Sequence, residues 1–345
     1  MQTMQCVIKE ESGPGHVKLV TRPVPEPGPR EVLAKVRAAA ICGTDVHIKQ
    51  WDDWAEKRVR PGVIIGHEFA GEVVAVGSDV KSVKVGDIVS AESHIVCNTC
   101  EMCHNGYQHV CYNTEIFGVT RDGCFAEYAV LPEENAFVCD PSLPIEVLSM
   151  MEPLGVAIHG IMEFPVAAKT VAIIGCGPIG AMAVAVAKKV GAEKVIALEP
   201  NAMRGEMALA MGADHLVNPV EQDPVEAVKA LTRNGRGVDV VVDYSGNVRA
   251  VSASFSYCKP EAKIVGVGIP SKPIEFQMGE FVYRGLTMKG IAGRLMYQNW
   301  EQMRGLLASG LDVSPVVTHT LSLDSFEEGL DLMEQGKCGK AILKP

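Results

Sequence analysis

The chain reads as an α/β protein of two domains, one mostly antiparallel β and one a doubly wound parallel sheet with helices. Three observations carry that reading. Over the first 150 residues, short alternating runs such as Glu31 to Val36 and Gly71 to Val76 are separated by Pro-Gly punctuation such as Pro25 to Pro29. From Lys169 the texture changes to apolar run, Gly-rich turn, Ala-rich helical stretch and second apolar run. A length of 345 residues exceeds one ordinary core and suits two domains of roughly 150 residues each.

The strand pattern of the first part is period two, as expected for sheets with one buried face. In the second part Thr170 to Ile174 forms a strand, Ala181 to Val190 a helix and Lys194 to Leu198 the next strand. That is β-α-β, the unit of a parallel sheet. Runs Val238 to Asp243 and Lys263 to Val267 alternate with helix-like segments Pro224 to Leu231 and Arg249 to Cys258, continuing to about Gly293. The last fifty residues read as helix, strand, helix, strand, with no repeats and no low-complexity linker.

Composition narrows the functional classes. With 47% hydrophobic and 21% charged residues the chain is an ordinary globular protein, and a net charge of -10 argues against a phosphate backbone as partner. No apolar stretch reaches spanning length and Met1 to Glu10 lacks a signal-peptide core, so no membrane role is expected. Four of the eleven cysteines, Cys97, Cys100, Cys103 and Cys111, fall in the spacing CxxCxxCx7C. Four thiolates close together read as a closed tetrahedral zinc site that holds a loop, residues 97–111, and does no chemistry. A ferredoxin-type cluster fits less well, because Cys111 follows a gap of seven and precedes Tyr112. Thiolate ligands need a reducing compartment, which points to the cytoplasm. Cys6, Cys124, Cys139, Cys176, Cys258 and Cys338 lack partner spacing and read as small apolar residues.

Gly175-Cys176-Gly177-Pro178-Ile179-Gly180 is GxGxxG between a strand and a helix. There the glycines allow a tight turn and close approach of a pyrophosphate, and the helix aims its first N–H groups at the anion. Glu199, nineteen residues beyond Gly180 at the end of the second strand, is placed to accept from both adenosine ribose hydroxyls. A carboxylate there repels a 2′-phosphate, which favours NAD over NADP. Arg204 is read as stacking on adenine.

Outside the four-cysteine lobe, Cys42 in CGTDVH, His67 and Glu68 in GHE, and Glu152 in EPLG supply thiolate, imidazole and carboxylate donors. Cys, His and Glu with room for one oxygen describe an open zinc site, although spacing alone does not assemble it.

The combination of CGTDVH, GHE followed by GEVVAVG, VGDIV, the four-cysteine lobe, EPLG and the late GxGxxG resembles the zinc-dependent medium-chain dehydrogenases across nearly the whole chain. That resemblance implies a GroES-like catalytic domain over 1–153 and 295–345 and a Rossmann NAD-binding domain over 154–294. It implies two zinc ions per chain, one structural and one catalytic. Cys42, His67 and Glu68 would be catalytic ligands, Glu152 an exchanging ligand or relay support, and either glutamate remains open as the one that binds. It implies a proton relay through Thr44 and His47, and a histidine facing substrate at His94. NAD contacts are implied at Ile179, Glu199, Arg204, Val267, Gly268, Ile269, Ile291 and Ala292, and a homotetramer as the assembly.

The implied reaction is hydride transfer from a secondary alcohol to NAD+, with zinc as Lewis acid. The segments Trp51 to Trp54, Glu92 to Cys97, Gly293-Arg294 and Ser309 to Asp312 resemble family members that act on the β-hydroxyl of L-threonine. Val156 after the Gly of EPLG, and Leu295 after Gly-Arg, depart from that pattern towards polyol and vicinal-diol dehydrogenases. A dinucleotide-binding sensor without catalysis would have damaged metal or relay residues, and Cys42, Thr44, His47, His67, Glu68 and Glu152 are all present.

Overall fold

A computed structural model describes residues 2–345, which divide into one compact unit of 2–153 with 317–345 and a second of 154–316. In the first unit a seven-stranded sheet is centred on Glu31–Ala40, which pairs antiparallel with Glu68–Val76, Tyr128–Pro132 and Lys340–Lys344. Along Glu31–Ala40 the outward Lys35 and Arg37 alternate with buried Ala34, Val36 and Ala38, the period-two signature of a half-buried strand. Ile41, Ile48, Ile65, Phe69, Phe117, Phe125 and Leu131 fill the core behind it. Each such side chain contributes about 1.5–3 kcal/mol through apolar burial.

One pair in this sheet is parallel. Val317–Ser322 and Lys340–Lys344 run the same way because the helix Phe326–Glu334 crosses between them. The cysteine-rich loop leaves the sheet through the short antiparallel pair His94–Ile95 and Glu115–Ile116, so its two ends are clamped before it begins.

The second unit holds a six-stranded, wholly parallel sheet. Its spatial order is His215–Val217, Lys194–Leu198, Thr170–Ile174, Val238–Asp243, Cys258–Gly266, Thr287–Gly290. The central strands are almost continuously apolar because helices cover both faces. The first crossover helix, Pro178–Lys189, buries Ala181, Ala183 and Ala187 completely, and side chains this small let it lie close on the sheet. The order reverses beside Thr170–Ile174, and open parallel sheets bind ligands at such a switch point.

Two boundaries differ from the sequence reading. Residues 295–316, expected with the β domain, belong to the second unit. The helix Gln298–Ala308 buries Trp300, Met303 and Leu307 there, and Lys189 Nζ donates to Ser309 O, so burial ties the segment to that core. Cys258, read as the end of a helix, opens the strand Cys258–Gly266, which is longer than its apolar part. No helix among the described residues is long and apolar enough to cross a membrane.

Candidate active site

In the loop Cys97 to Cys111 the four Sγ atoms lie within 4.8 Å of one another. Adjacent pairs stand 3.6 Å (Cys100 and Cys103), 3.8 Å (Cys100 and Cys111) and 3.5 Å (Cys111 and Cys97) apart. Ligands about 2.3 Å from a central zinc in a tetrahedron stand ~3.8 Å from each other, so the sulfurs match that ion. Hydrogen bonds from the Thr99 amide and hydroxyl, with Asn113, hold the Cys97 thiol down to about 5. Burial and the neighbouring thiols push Cys103 up to about 12. Ionising four thiols this close together requires a cation in their midst.

The second donor group is built where a helix meets a strand. Cys42 is the N-cap of the helix Gly43–Gln50, and its amide donates to Asp45 Oδ2 at 2.8 Å, closing the first turn. His67 precedes and Glu68 opens the strand Glu68–Val76, after Gly66, whose φ is +88°. A Cβ on Gly66 would meet the Phe125 ring at 2.2 Å, so glycine is required for the chain to pass. Donor atoms of Cys42, His67 and Glu68 come within 4.8 Å of one another.

Glu152 falls outside that group. It is buried and its Oε1 accepts from Ser93 Oγ at 2.9 Å, while its charge still bears on Glu68 and Lys340. Thr44 Oγ1 is 3.8 Å from Cys42 Sγ, one turn of helix before His47. The His94 amide donates to Glu92 Oε1 at 2.9 Å and its carbonyl accepts from Asn135 Nδ2 at 2.8 Å, fixing the backbone from which the imidazole projects.

Sequence reasoning missed two charged residues here. Asp45 is fully buried with Oδ1 4.0 Å from His67 Nδ1, too long for a hydrogen bond, and its negative charge stands beside the imidazole. Its position three residues after Cys42, in the first turn of a helix, was the available signal. Lys340 is also buried, and its Nζ donates to both Glu68 oxygens, at 2.7 and 2.5 Å, and to Ile41 O at 3.2 Å. Burial works to lower the Lys340 ammonium, but Glu68, Cys42 and Glu152 outweigh it and hold it above its ordinary value. No local spacing announces a partner 272 residues away.

In the second unit each glycine of the turn has its own geometry. Gly175 has φ +80°, and a Cβ there would stand 2.7 Å from Ser245 Cβ. A Cβ on Gly180 would stand 1.9 Å from Gly175 O, so the helix closes on the strand only with glycine. A Cβ on Gly177 would meet nothing within 4 Å, and Gly177 is the N-cap of Pro178–Lys189 with no side chain over the free amides. That opening is the space an anion needs. Pro178 and Ile179 form the first turn.

Glu199 follows Lys194–Leu198, with Oε2 accepting from the Cys176 amide at 2.7 Å and Oε1 from the Asn201 amide at 2.9 Å. Arg204 lies in the first turn of Ala202–Ala210, whose N-cap Asn201 accepts from its amide. The amides of Val267 and Gly268 both donate to Asp243 O at 2.9 Å, and Ile269 beyond them is exposed. Ile291 N donates to Gly266 O at 3.0 Å, and Ala292 continues past the strand end. The Asp243 carboxylate, which sequence reasoning passed over, ties down Ser245 and Gly246 under the Gly-rich turn.

A family profile described as zinc-binding dehydrogenase matches residues 178–309, and one described as alcohol dehydrogenase GroES-like domain matches 28–141. An L-threonine 3-dehydrogenase of Symbiobacterium thermophilum is 48% identical, over 100% of this chain and 98% of that protein. The structure of a zinc-binding dehydrogenase from Sinorhizobium meliloti 1021 bound to NADP superposes with TM-score 0.93 at 29% identity, covering 100% of both chains. That of 2R,3R-butanediol dehydrogenase from Bacillus subtilis gives 0.90 at 27% identity, covering 99% of each. With its four-sulfur lobe, its Cys-His-Glu donor group and its Gly-rich nucleotide turn, the chain belongs to the zinc-binding dehydrogenase family with a GroES-like domain.

Proposed function

We propose that this chain oxidises L-threonine at its β-hydroxyl to 2-amino-3-ketobutyrate, with NAD+ as hydride acceptor. The observation that carries the reading is full-length identity of 48% with an L-threonine 3-dehydrogenase, on a chain whose Cys42, His67 and Glu68 donors stand together. The zinc-dependent alcohol chemistry belongs to the family, and threonine is the proposal.

The residues present fit zinc. Thiolate, imidazole and carboxylate within reach of one point, with Asp45 behind the imidazole, form an open donor set. Bound there, zinc would act as Lewis acid on the substrate hydroxyl. The Thr44 hydroxyl takes the proton that the substrate loses and passes it on, and His47 delivers it to solvent. Thr44 and His47 are three residues apart on one helix and so share a face. Glu68 accepts from the Lys340 ammonium, and Glu152 is held in place by the Ser93 hydroxyl. The amides from Gly177 onward hold the pyrophosphate, and Glu199 accepts from the ribose and disfavours a 2′-phosphate. The free cysteines, eleven in all, suit a reducing, cytoplasmic setting, and we propose a homotetramer.

A diol or polyol is the second reading, favoured by Val156 and Leu295. Neither side chain can pair the ammonium or carboxylate of an amino acid, and recognition of charged groups depends on such partners. Initial rates of NAD+ reduction with L-threonine, L-allo-threonine, L-serine, 2,3-butanediol, sorbitol and glycerol separate the two. Preference for L-threonine supports the first reading, and inertness to threonine beside a turned-over diol supports the second.

A further inference from the structure

We infer that Asp52 is the positioning residue that holds His47 in the one tautomer able to accept the relayed proton. The inference rests on the relay reading of His47 given above.

The geometry is specific to this turn. Asp52 caps the helix Asp53–Glu56, its Oδ1 accepting from the amides of Trp54 at 3.1 Å and Ala55 at 3.0 Å. Those two bonds leave Oδ2 facing His47 Nδ1 at 2.7 Å. An ionised carboxylate only accepts, so Nδ1 carries the hydrogen and Nε2 is left bare, ready to take a proton. The Ala55 amide first, with the imidazole and the Trp54 amide, holds the Asp52 carboxyl below the usual range, so it is ionised throughout the working pH.

Among the described residues no other ionised side chain pairs with the ring. On the same helix Lys49 is turned to Asp331 and Glu334 of Phe326–Glu334, and Gln50 to Glu334. Arg58 lies over the Trp54 ring, whose centroid is 6.3 Å from that of His47. Trp51, with φ 56°, ends the helix by donating its amide to His47 O, and the Lys9 ammonium sits 4.7 Å from the Trp51 ring centroid. The turn that carries Asp52 is thereby pinned from both sides of His47.

Asn is the informative substitution because it caps a helix as well as Asp. In Asp52→Asn the amide oxygen stays on the Trp54 and Ala55 amides, since a flip forfeits both bonds. The NH2 group then faces Nδ1, which must accept, and the ring proton moves to Nε2, the nitrogen the relay needs free. A carboxylate-to-amide change behind a catalytic histidine imposes the wrong tautomer in just this way.

The experiment measures kcat with the better of L-threonine and 2,3-butanediol, the NAD Kd and the Tm for wild type, Asp52→Asn, His47→Asn and the double variant. The expected result is a loss of at least about tenfold in kcat for Asp52→Asn, with NAD Kd and Tm unchanged and no further loss when it is added to His47→Asn. Exogenous imidazole buffer, which takes the proton directly, restores both single variants. Asp52→Ser, which also caps but takes the carboxylate away from Nδ1, serves if the Asn variant folds poorly: kcat falls only where His47 is retained, by less than for Asn because no NH2 group forces the tautomer. Unchanged kcat in Asp52→Asn, or an equal loss in both backgrounds, overturns the inference and leaves the relay standing. Full activity of His47→Asn removes the relay and the inference with it.

Discussion

Lys340 and Glu68 are locked together in the interior of the first unit, Nζ to Oε1 at 2.7 Å and to Oε2 at 2.5 Å, although the last strand of the chain supplies one and the fourth long strand the other. The same carboxylate belongs to the donor group with Cys42 and His67. Removing Lys340 leaves that carboxylate buried without its counter-charge. Lys340→Met therefore destabilises the protein by about 3–5 kcal/mol, and adding Glu68→Gln recovers part of the loss. Urea denaturation of proteins freed of metal at the Cys42-His67-Glu68 group measures both, and a neutral Lys340→Met shows that the pair is not coupled as described.

The two metal groups separate activity from stability. Cys100→Ser opens the four-sulfur cage and lowers Tm, because a structural zinc contributes its binding energy to folding. Cys42→Ser abolishes turnover and leaves Tm and NAD affinity near those of wild type. Metal analysis with thermal melts checks both, expecting two zinc ions per chain in wild type. Loss of the whole fold in Cys42→Ser contradicts the division of labour.

The Gly-rich turn divides in the same manner. Gly177→Ala fills open space, so the chain folds normally while the Kd for NAD rises at least about tenfold, from blocked approach of the pyrophosphate. Gly180→Ala drives a methyl into Gly175 O and costs stability first. Isothermal titration with NAD beside thermal melts distinguishes them, and equal effects on both quantities in both variants contradict the assignment.

His159 makes the second unit sensitive to acid. It is buried, with Nδ1 2.9 Å from Gly293 O, and burial holds its imidazole below the ordinary value against the opposing pull of Gly293 and Glu163. A depressed folded-state pKa means the unfolded chain binds the proton first. Its contribution to stability is whole above about 6.5 and is lost as pH falls through the folded-state value. His159→Gln reduces the acid-side slope of stability against pH, read from urea midpoints between about pH 5 and 7.5. An unchanged slope removes His159 as the cause.

Local features of the site were legible because their physics is local. The cysteine spacing brought four sulfurs together, and GxGxxG between strand and helix marks a turn where Gly175 and Gly180 are required sterically and Gly177 leaves open space. Asp45, Lys340 and Asp52 were not legible as site residues. Asp45 and Asp52 look like ordinary helix caps, and their second contacts, with His67 and His47, appear only in three dimensions. Lys340 meets Glu68 only after the terminal strand enters the sheet, and residues 295–316 were misplaced because burial of Trp300 decides their unit.

The measurement that bears most directly on the account is initial-rate NAD+ reduction by zinc-loaded protein, with L-threonine beside the diols and polyols, in wild type and Cys42→Ser. Turnover of L-threonine by wild type, absent from an equally stable Cys42→Ser, is the predicted result. NAD+ reduction that survives in Cys42→Ser, or a zinc-replete wild type that oxidises no alcohol of the panel, contradicts it.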